Sequence, residues 1–209
     1  MTARCILVRI ATIVFAFSYR CRRLWLRLKA ELYYKFIFKS FGKNSTLWDP
    51  LLIMNPKGIC IGSNVEILYR VWLAALPCSV FHEASLVIED GCSIGNLTQI
   101  FSTKSITIHR NVIISGKVYI ADNQHSYSNP LIPVKHQSIE QKKEVVIGEG
   151  SWLGQNVCVI GASIGKNCVI GANSVVTSSI PDYSVAVGAP ARVIKQYDFN
   201  AKMWRKVGN

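Results

Sequence analysis

Few side chains in this sequence can do chemistry, and their spacing excludes several chemistries at once. Histidines stand at 82, 109, 125 and 136, none close enough to another to open a zinc site. The seven cysteines, at 5, 21, 60, 78, 92, 158 and 168, form no CxxC pair and are irregularly spaced. That fits a reducing compartment better than a disulfide framework. What remains is imidazole chemistry, because a neutral histidine can take a hydroxyl proton near pH 7. His125, with Asp122, Asn123, Ser126 and Tyr127 around it, shares a polar, Asn/Ser/Pro-rich stretch with His136. His82 and His109 fall at or beside positions of a repeat and read as structural.

That polar stretch interrupts a regular pattern. Aliphatic residues recur every six positions at 88, 94, 100, then 108, 114, 120, then 147, 153, 159, and finally 164, 170, 176. Four positions after many of them stands a small or β-branched residue: Ile61 precedes Val65, Ile88 Cys92, Ile94 Thr98, Ile147 Ser151, Leu153 Val157, Ile164 Cys168 and Ile170 Ser174. A period of six is neither helical nor that of a plain strand. It implies one inward residue per short strand and turn, three such units per coil, and coils that stack because none can bury its apolar row alone. The step from Val159 to Ile164 is one residue short, so one corner is tightened. Residues 121–146 read as a loop ejected from the coil. Such a loop costs little closure entropy, but inside a regular repeat it calls for a functional reason. The reading is all-β, with a β-helix over 47–195, a segment 1–46 before it and a short tail 196–209.

Charge sets the first segment apart. The chain of 209 residues is half hydrophobic and carries a formal charge of +12. Residues 1–43 hold ten Lys/Arg against the single acid Glu31, so most of that charge lies there. A nucleic-acid binder would spread it over a folded face, so no nucleic-acid partner is expected. The longest apolar run, Ile10–Phe17, is too short to span a bilayer, and no small-x-small cleavage site follows it. Trp25, Leu28, Leu32 and Phe36 recur at helical spacing, with Arg27, Glu31 and Lys35 as a ladder on another face. The segment is expected to be a basic amphipathic helix that either lies on a membrane surface or packs its apolar side on the β-helix.

The chain resembles the hexapeptide-repeat acyltransferases, whose fold is a left-handed parallel β-helix. The resemblance covers residues 44–199 and is carried in three places. Ala121-Asp122-Asn123-Gln124-His125-Ser126-Tyr127, with Pro133 and Gln137, is similar to the loop bearing the catalytic histidine of sugar and antibiotic O-acetyltransferases. Many members have two histidines there, and this chain has Asn123 at the first. Val146–Val176 is similar to the acyl-CoA-binding coils, and Pro181–Ser184 with Val187–Lys195 to the closing signature. The entry Ser40–Ser45 with Ile53–Pro56, and the tail Lys195–Phe199, resemble the branch that acetylates O-antigen, capsule and exopolysaccharide sugars.

The resemblance implies a CoA-dependent sugar O-acetyltransferase using acetyl-CoA and no metal. It implies His125 as general base, with Asp122 or a backbone carbonyl fixing its tautomer, His136 in reserve, and Asp122, Asn123 and Tyr127 near the acceptor. Trp152, Gly154, Ala172, Arg192 and Lys195 would hold CoA, with Lys166 nearby. Turn N–H groups around Gly154 would meet the oxyanion. It further implies a sugar or glycan acceptor, a homotrimer in which the loop reaches a neighbouring subunit, and a cytoplasmic protein at the inner membrane surface. Two rival readings are a non-enzymatic β-helix scaffold and a γ-type carbonic anhydrase-like protein. The histidine spacing speaks against the second, and the ejected loop and closing signature against the first.

Overall fold

In the computed structural model, which describes residues 21, 22, 24–78 and 82–207, the six-residue period closes into three-sided coils. The first face is built by Ser40–Phe41, Ile59–Ile61, Ser85–Ile88, Ser105–Ile108 and Val145–Ile147, and is continued by bridges at Ile164 and Ile180. The second carries Thr46–Leu47, Glu66–Ile67, Ser93–Ile94, Ile113–Ile114, Trp152–Leu153, Val169–Ile170 and Ser184–Val187. The third carries Leu52–Met54, Trp72–Ala75, Gln99–Ser102, Tyr119–Ala121, Cys158–Ile160 and Val175–Val176. All rungs within these faces are parallel. Each strand sends its aliphatic residue inward, so Ile88, Ile94, Ile100, Ile108, Ile120, Ile147, Leu153, Val159, Ile170 and Val176 are buried in one continuous core. The small residues four positions on, Cys92, Thr98, Ser151, Val157, Cys168 and Ser174, are buried as well.

Corners need a left-handed residue, and the chain mostly supplies asparagine or glycine, with Arg70, Leu97 and Lys117 in that conformation between the second and third faces. Asn64, Gly91, Asn111, Gly150 and Asn167 have positive φ at the corner between the first and second faces, and Asn156 and Asn173 do so at the next. Some of these stack into side-chain ladders, as in Asn156 Nδ2 donating to Asn173 Oδ1 at 3.0 Å. The shortened step after Val159 turns on Gly161, whose φ is +55°.

Three boundaries differ from expectation. The β-helix begins at Ser40, not 47, because Phe41 and Leu47 already keep the six-residue spacing and are buried. The last residues are not a loose tail. Arg192–Asp198 folds back antiparallel on Ser184–Val187, and Met203–Lys206 adds a further strand. The ejected segment, lying between Ala121 and Val145, is an arm rather than a plain loop, since Asn123–His125 pairs antiparallel with Ile139–Gln141.

Ahead of the first coil, residues 24–37 are helical, with a π-helical turn at Ala30–Tyr34. Leu26, Ala30, Tyr34 and the following Phe38 are buried over the open end of the first coil, and Tyr34 stacks on Phe41 with centroids 5.4 Å apart. The expected stripe faces away from them: Trp25, Leu28, Leu32 and Phe36 are 58%, 51%, 74% and 73% exposed. So a different face does the packing, and none of the described residues covers the stripe. Lys35 pairs with Glu31, closing part of the expected ladder. No helix among the described residues is long and apolar enough to cross a membrane. The run Ile10–Phe17 lies outside the described residues.

Candidate active site

The arm leaves the edge where the third face turns into the first, and one buried carboxylate fixes its root. Asp122 is fully buried. Its Oδ1 accepts from Thr103 N–H at 2.8 Å, Thr103 Oγ1 at 2.9 Å and Asn123 Nδ2 at 3.0 Å. Its Oδ2 accepts from Lys104 N–H at 2.8 Å and Ser105 N–H at 2.9 Å, with Ser102 Oγ at 3.3 Å. So many donors converging on two oxygens fix the side chain in one orientation. This corrects the expectation that Asp122 orients the imidazole or touches the acceptor: both oxygens are spent on the corner beneath. Asn123 is turned the same way, donating to Asp122 and to the Phe101 carbonyl at 3.2 Å. Thr103 and Gln141 complete the root and are not visible as site residues in the sequence. Thr103 Oγ1 lies 2.7 Å from Gln141 Oε1, and Gln141 Nε2 donates to the Asp122 carbonyl at 2.8 Å.

From this root the paired strands carry His125 out, opposite Ile139, to an exposed position. Gln124 Nε2 donates to Glu140 Oε2 at 3.0 Å, and Lys142 Nζ to Glu140 Oε1 at 2.7 Å. Lys142 and then Gln124 thereby hold the Glu140 carboxyl below its usual range. Beyond His125, Gln137 cross-braces the tip, accepting from Asn129 N–H and donating to the Asn129 and Ile132 carbonyls. The tip presents apolar side chains to solvent: Tyr127, Ile132, Val134 and, at 89% exposed, Leu131. His136 sits in the short turn Val134–His136 at that tip.

The residues expected to hold CoA lie elsewhere on the prism. On the second face Trp152 pairs with Val169, Val169 with Val185 and Val185 with Lys195, a single outward row spanning three rungs, roughly 14 Å. Trp152 is exposed and donates from Nε1 to Ser115 Oγ at 3.1 Å. Gly154 and Ala172 stack at the corner beside this row, so closely that a Cβ on Gly154 would lie 2.7 Å from the Ala172 nitrogen. The Gly154 N–H is taken by the Ile170 carbonyl at 2.8 Å, so it is not an oxyanion donor. Arg192 is exposed at the same end, opposite Val187. An exposed aromatic ring, a corner of small residues beside it and two cations suit an elongated thiol cofactor ending in phosphates. One chain does not bring that row and His125 together, since they occupy a face and an edge of the same prism.

Three cysteines of the coils, Cys92, Cys158 and Cys168, are not poised to attack. Burial pushes the Cys92 thiol up to about 11, and burial raises those of Cys158 and Cys168. Protonated thiols are poor nucleophiles. His109 is tied to Glu89, with Nδ1 3.1 Å from Oε2, and His82 is exposed on the arm's edge of the prism.

Residues 144–178 match the family described as the hexapeptide repeat of succinyl-transferase. Over 165 residues, 75% of this chain and 81% of the relative, the sequence is 36% identical to WbbJ of Escherichia coli (strain K12), named as a lipopolysaccharide biosynthesis O-acetyl transferase. The galactoside O-acetyltransferase of Lactococcus lactis is 38% identical over 117 residues, 52% of this chain and 55% of its own. Among solved structures, a maltose O-acetyltransferase from Clostridium difficile 630 aligns with TM-score 0.52 at 28% identity, covering 79% of this chain and 73% of that one. A variant of AntD, an N-acyltransferase from Bacillus cereus solved with dTDP and coenzyme A, shares the fold with TM-score 0.66 at 23% identity, covering 80% and 88%.

Proposed function

The chain belongs to the hexapeptide-repeat acyltransferase family, and on that premise we propose that it moves an acetyl group from acetyl-CoA to a sugar hydroxyl in cell-surface polysaccharide synthesis. A relative matched over three quarters of the chain is named for O-acetyl transfer in lipopolysaccharide biosynthesis, and the parallel coils of this chain fit a left-handed β-helix. The observation that carries the reading is the His125 arm, a rigid antiparallel projection clamped to the coil by Asp122. A mere scaffold has no use for so many donors spent on fixing one exposed histidine.

The step is direct transfer. The acceptor oxygen attacks the thioester carbonyl carbon while His125 takes its proton. The C–S bond breaks as the tetrahedral intermediate collapses, and the imidazolium returns the proton to the departing thiolate of CoA. No acyl-enzyme is needed, in keeping with the raised thiols. Asp122 acts at one remove, as a positioning residue. Tyr127, exposed two residues beyond His125, is assigned to the acceptor. Trp152, Ala172, Arg192 and Lys195 are assigned to CoA, with Gly154 at the corner beside them.

Because one chain splits the site, we assign its completion to a homotrimer in which the arm of one copy reaches the second face of the next. The exposed apolar tip supports this, since Leu131 and Ile132 gain a cover. We place the assembly on the cytoplasmic face of the inner membrane, held by the basic N-terminal segment.

The test is release of CoA from acetyl-CoA with a panel of nucleotide-linked, lipid-linked and free sugars, followed by mass analysis of the acceptor. Acetylated sugar is expected. Failure with every acceptor, beside intact folding, returns the protein to the scaffold reading. Light scattering is expected to give a trimer, and a fully active monomer would overturn the shared site.

A further inference from the structure

One edge of the β-helix lines up an exposed apolar helix, a basic pocket and the His125 arm, and from that alignment we propose that the acceptor glycan is carried on a lipid diphosphate. This rests on the acetyltransferase reading and adds the substrate's carrier. The edge between the third and first faces holds, in chain order, the turn Pro56–Gly58, the segment before Ser85, the corner at Thr103 and Lys104, and the arm. Between the turn and that corner lies a pocket of about 430 Å³ lined by Lys39, Asn55, Lys57, His82, Glu83 and Lys104, among others. Lys39, Lys57 and Lys104 stand against one carboxylate, Glu83, among its lining residues, with Lys57 bonded to the Phe36 carbonyl and Lys104 paired with Glu144 at 2.8 Å. Diphosphate oxygens suit such a set of donors.

Two pocket residues tie it to its neighbours. Lys57 Nζ donates to the Phe36 carbonyl at 2.5 Å, and Phe36 ends the exposed stripe Trp25, Leu28, Leu32, Phe36. Lys104 N–H donates to Asp122, the anchor of the arm. A ligand with its diphosphate in the pocket therefore has an apolar surface on one side and the histidine on the other. The apolar side is what selects a lipid carrier over a nucleotide. A helix whose apolar stripe is exposed among the described residues, in a segment where ten Lys/Arg stand against one acid, suits the surface of an anionic bilayer. From the turn after the first coil to the arm after the fourth is roughly 14 Å at ordinary rung spacing. That leaves room for a short glycan between the diphosphate and the reacting hydroxyl.

The experiment is flotation of the full chain with phosphatidylglycerol/phosphatidylethanolamine vesicles, with and without a small fraction of a polyprenyl diphosphate. The diphosphate is expected to lower the half-saturating lipid concentration by roughly tenfold. Lys39→Gln with Lys57→Gln should abolish that gain with little change on undoped vesicles, and Lys39→Arg should keep it. Leu28→Glu with Leu32→Glu should lose binding to both. Circular dichroism melting checks that each variant folds. No gain from the diphosphate, or a gain that survives the lysine changes, overturns the proposal. So does calorimetric binding of a soluble nucleoside diphosphate with the same lysine dependence and no flotation, which would assign the pocket to a nucleotide carrier. Dissociation of the oligomer by Leu28→Glu with Leu32→Glu would make the stripe a contact between copies instead. Acetyl transfer to soluble sugars is followed separately, so its failure sinks the acetyltransferase reading and leaves the vesicle result standing.

Discussion

A single buried carboxylate decides whether the histidine is held or free. Asp122 receives three backbone N–H groups within 2.9 Å. In Asp122→Asn the charge is lost and the new amide turns donors toward donors. Hydrogen bonds to a charged group are each worth about 1.5–3 kcal/mol, so a net loss of about 2–4 kcal/mol is expected. Turnover should fall with the loosened arm while acetyl-CoA affinity holds, which steady-state kinetics beside calorimetry can separate. An unchanged melting temperature would refute the anchoring role. The thiols offer a second check at this scale. Iodoacetamide at pH 8 is expected to modify exposed Cys21 quickly and to spare Cys92, held at about 11 by burial, and Cys168 until the chain unfolds. Peptide mapping reads this directly, and rapid labelling of Cys92 would contradict it. His125 is legible in sequence because it sits in the longest break in the repeat. Asp122 is not, because a carboxylate beside a histidine reads as its partner. The donors that claim it, Ser102 to Ser105, stand a whole coil earlier in the chain.

Among the elements, the six-residue register of the coils was readable and their ends were not. That register is buried throughout, and strands of the first face bury a second side chain two positions earlier, as in Leu86 with Ile88, Ile106 with Ile108 and Val145 with Ile147, which a period of six does not reveal. The first coil keeps the six-residue spacing at Phe41, Leu47 and Ile53 but is obscured by Trp48, Asp49 and Pro50 between them, and the closing strands carry no hexad because they run antiparallel. Coil spacing makes its own prediction. A Cβ on Gly148 would lie 2.4 Å from the Gly165 backbone, whereas one on Gly116 meets Asn96 O at 3.2 Å. Gly148→Ala should cost about 2–4 kcal/mol and several degrees of melting temperature, and Gly116→Ala much less. Equal effects would mean that the coils do not approach so closely. The N-terminal helix is likewise more than an appendage. Spacing alone points to the stripe at 25, 28, 32 and 36, yet Leu26, Ala30, Tyr34 and Phe38 are what close the first coil. Deleting residues 1–39 is therefore expected to lower stability as well as membrane affinity, and a truncated chain with unchanged melting would refute the capping role.

For the whole molecule, the governing geometry is that a rigid prism cannot fold one edge onto another face. The His125 arm and the Trp152–Lys195 row lie on different parts of the prism, so the site proposed here is completed by a second copy. Mixed oligomers of His125→Ala and Lys195→Ala subunits are accordingly expected to regain turnover that neither homo-oligomer has. No regain on mixing and reassembly would place both residues in one chain's site. Beneath this lies the central claim, that His125 is the base for acetyl transfer. The measurement that tests it is turnover of His125→Ala and His136→Ala at saturating acetyl-CoA with an accepted sugar, beside CoA affinity by calorimetry. General-base catalysis supplies about 10²–10⁴ in rate, so His125→Ala should lose that much with CoA affinity and melting preserved, and His136→Ala should lose little. Near-normal turnover in His125→Ala would contradict the account.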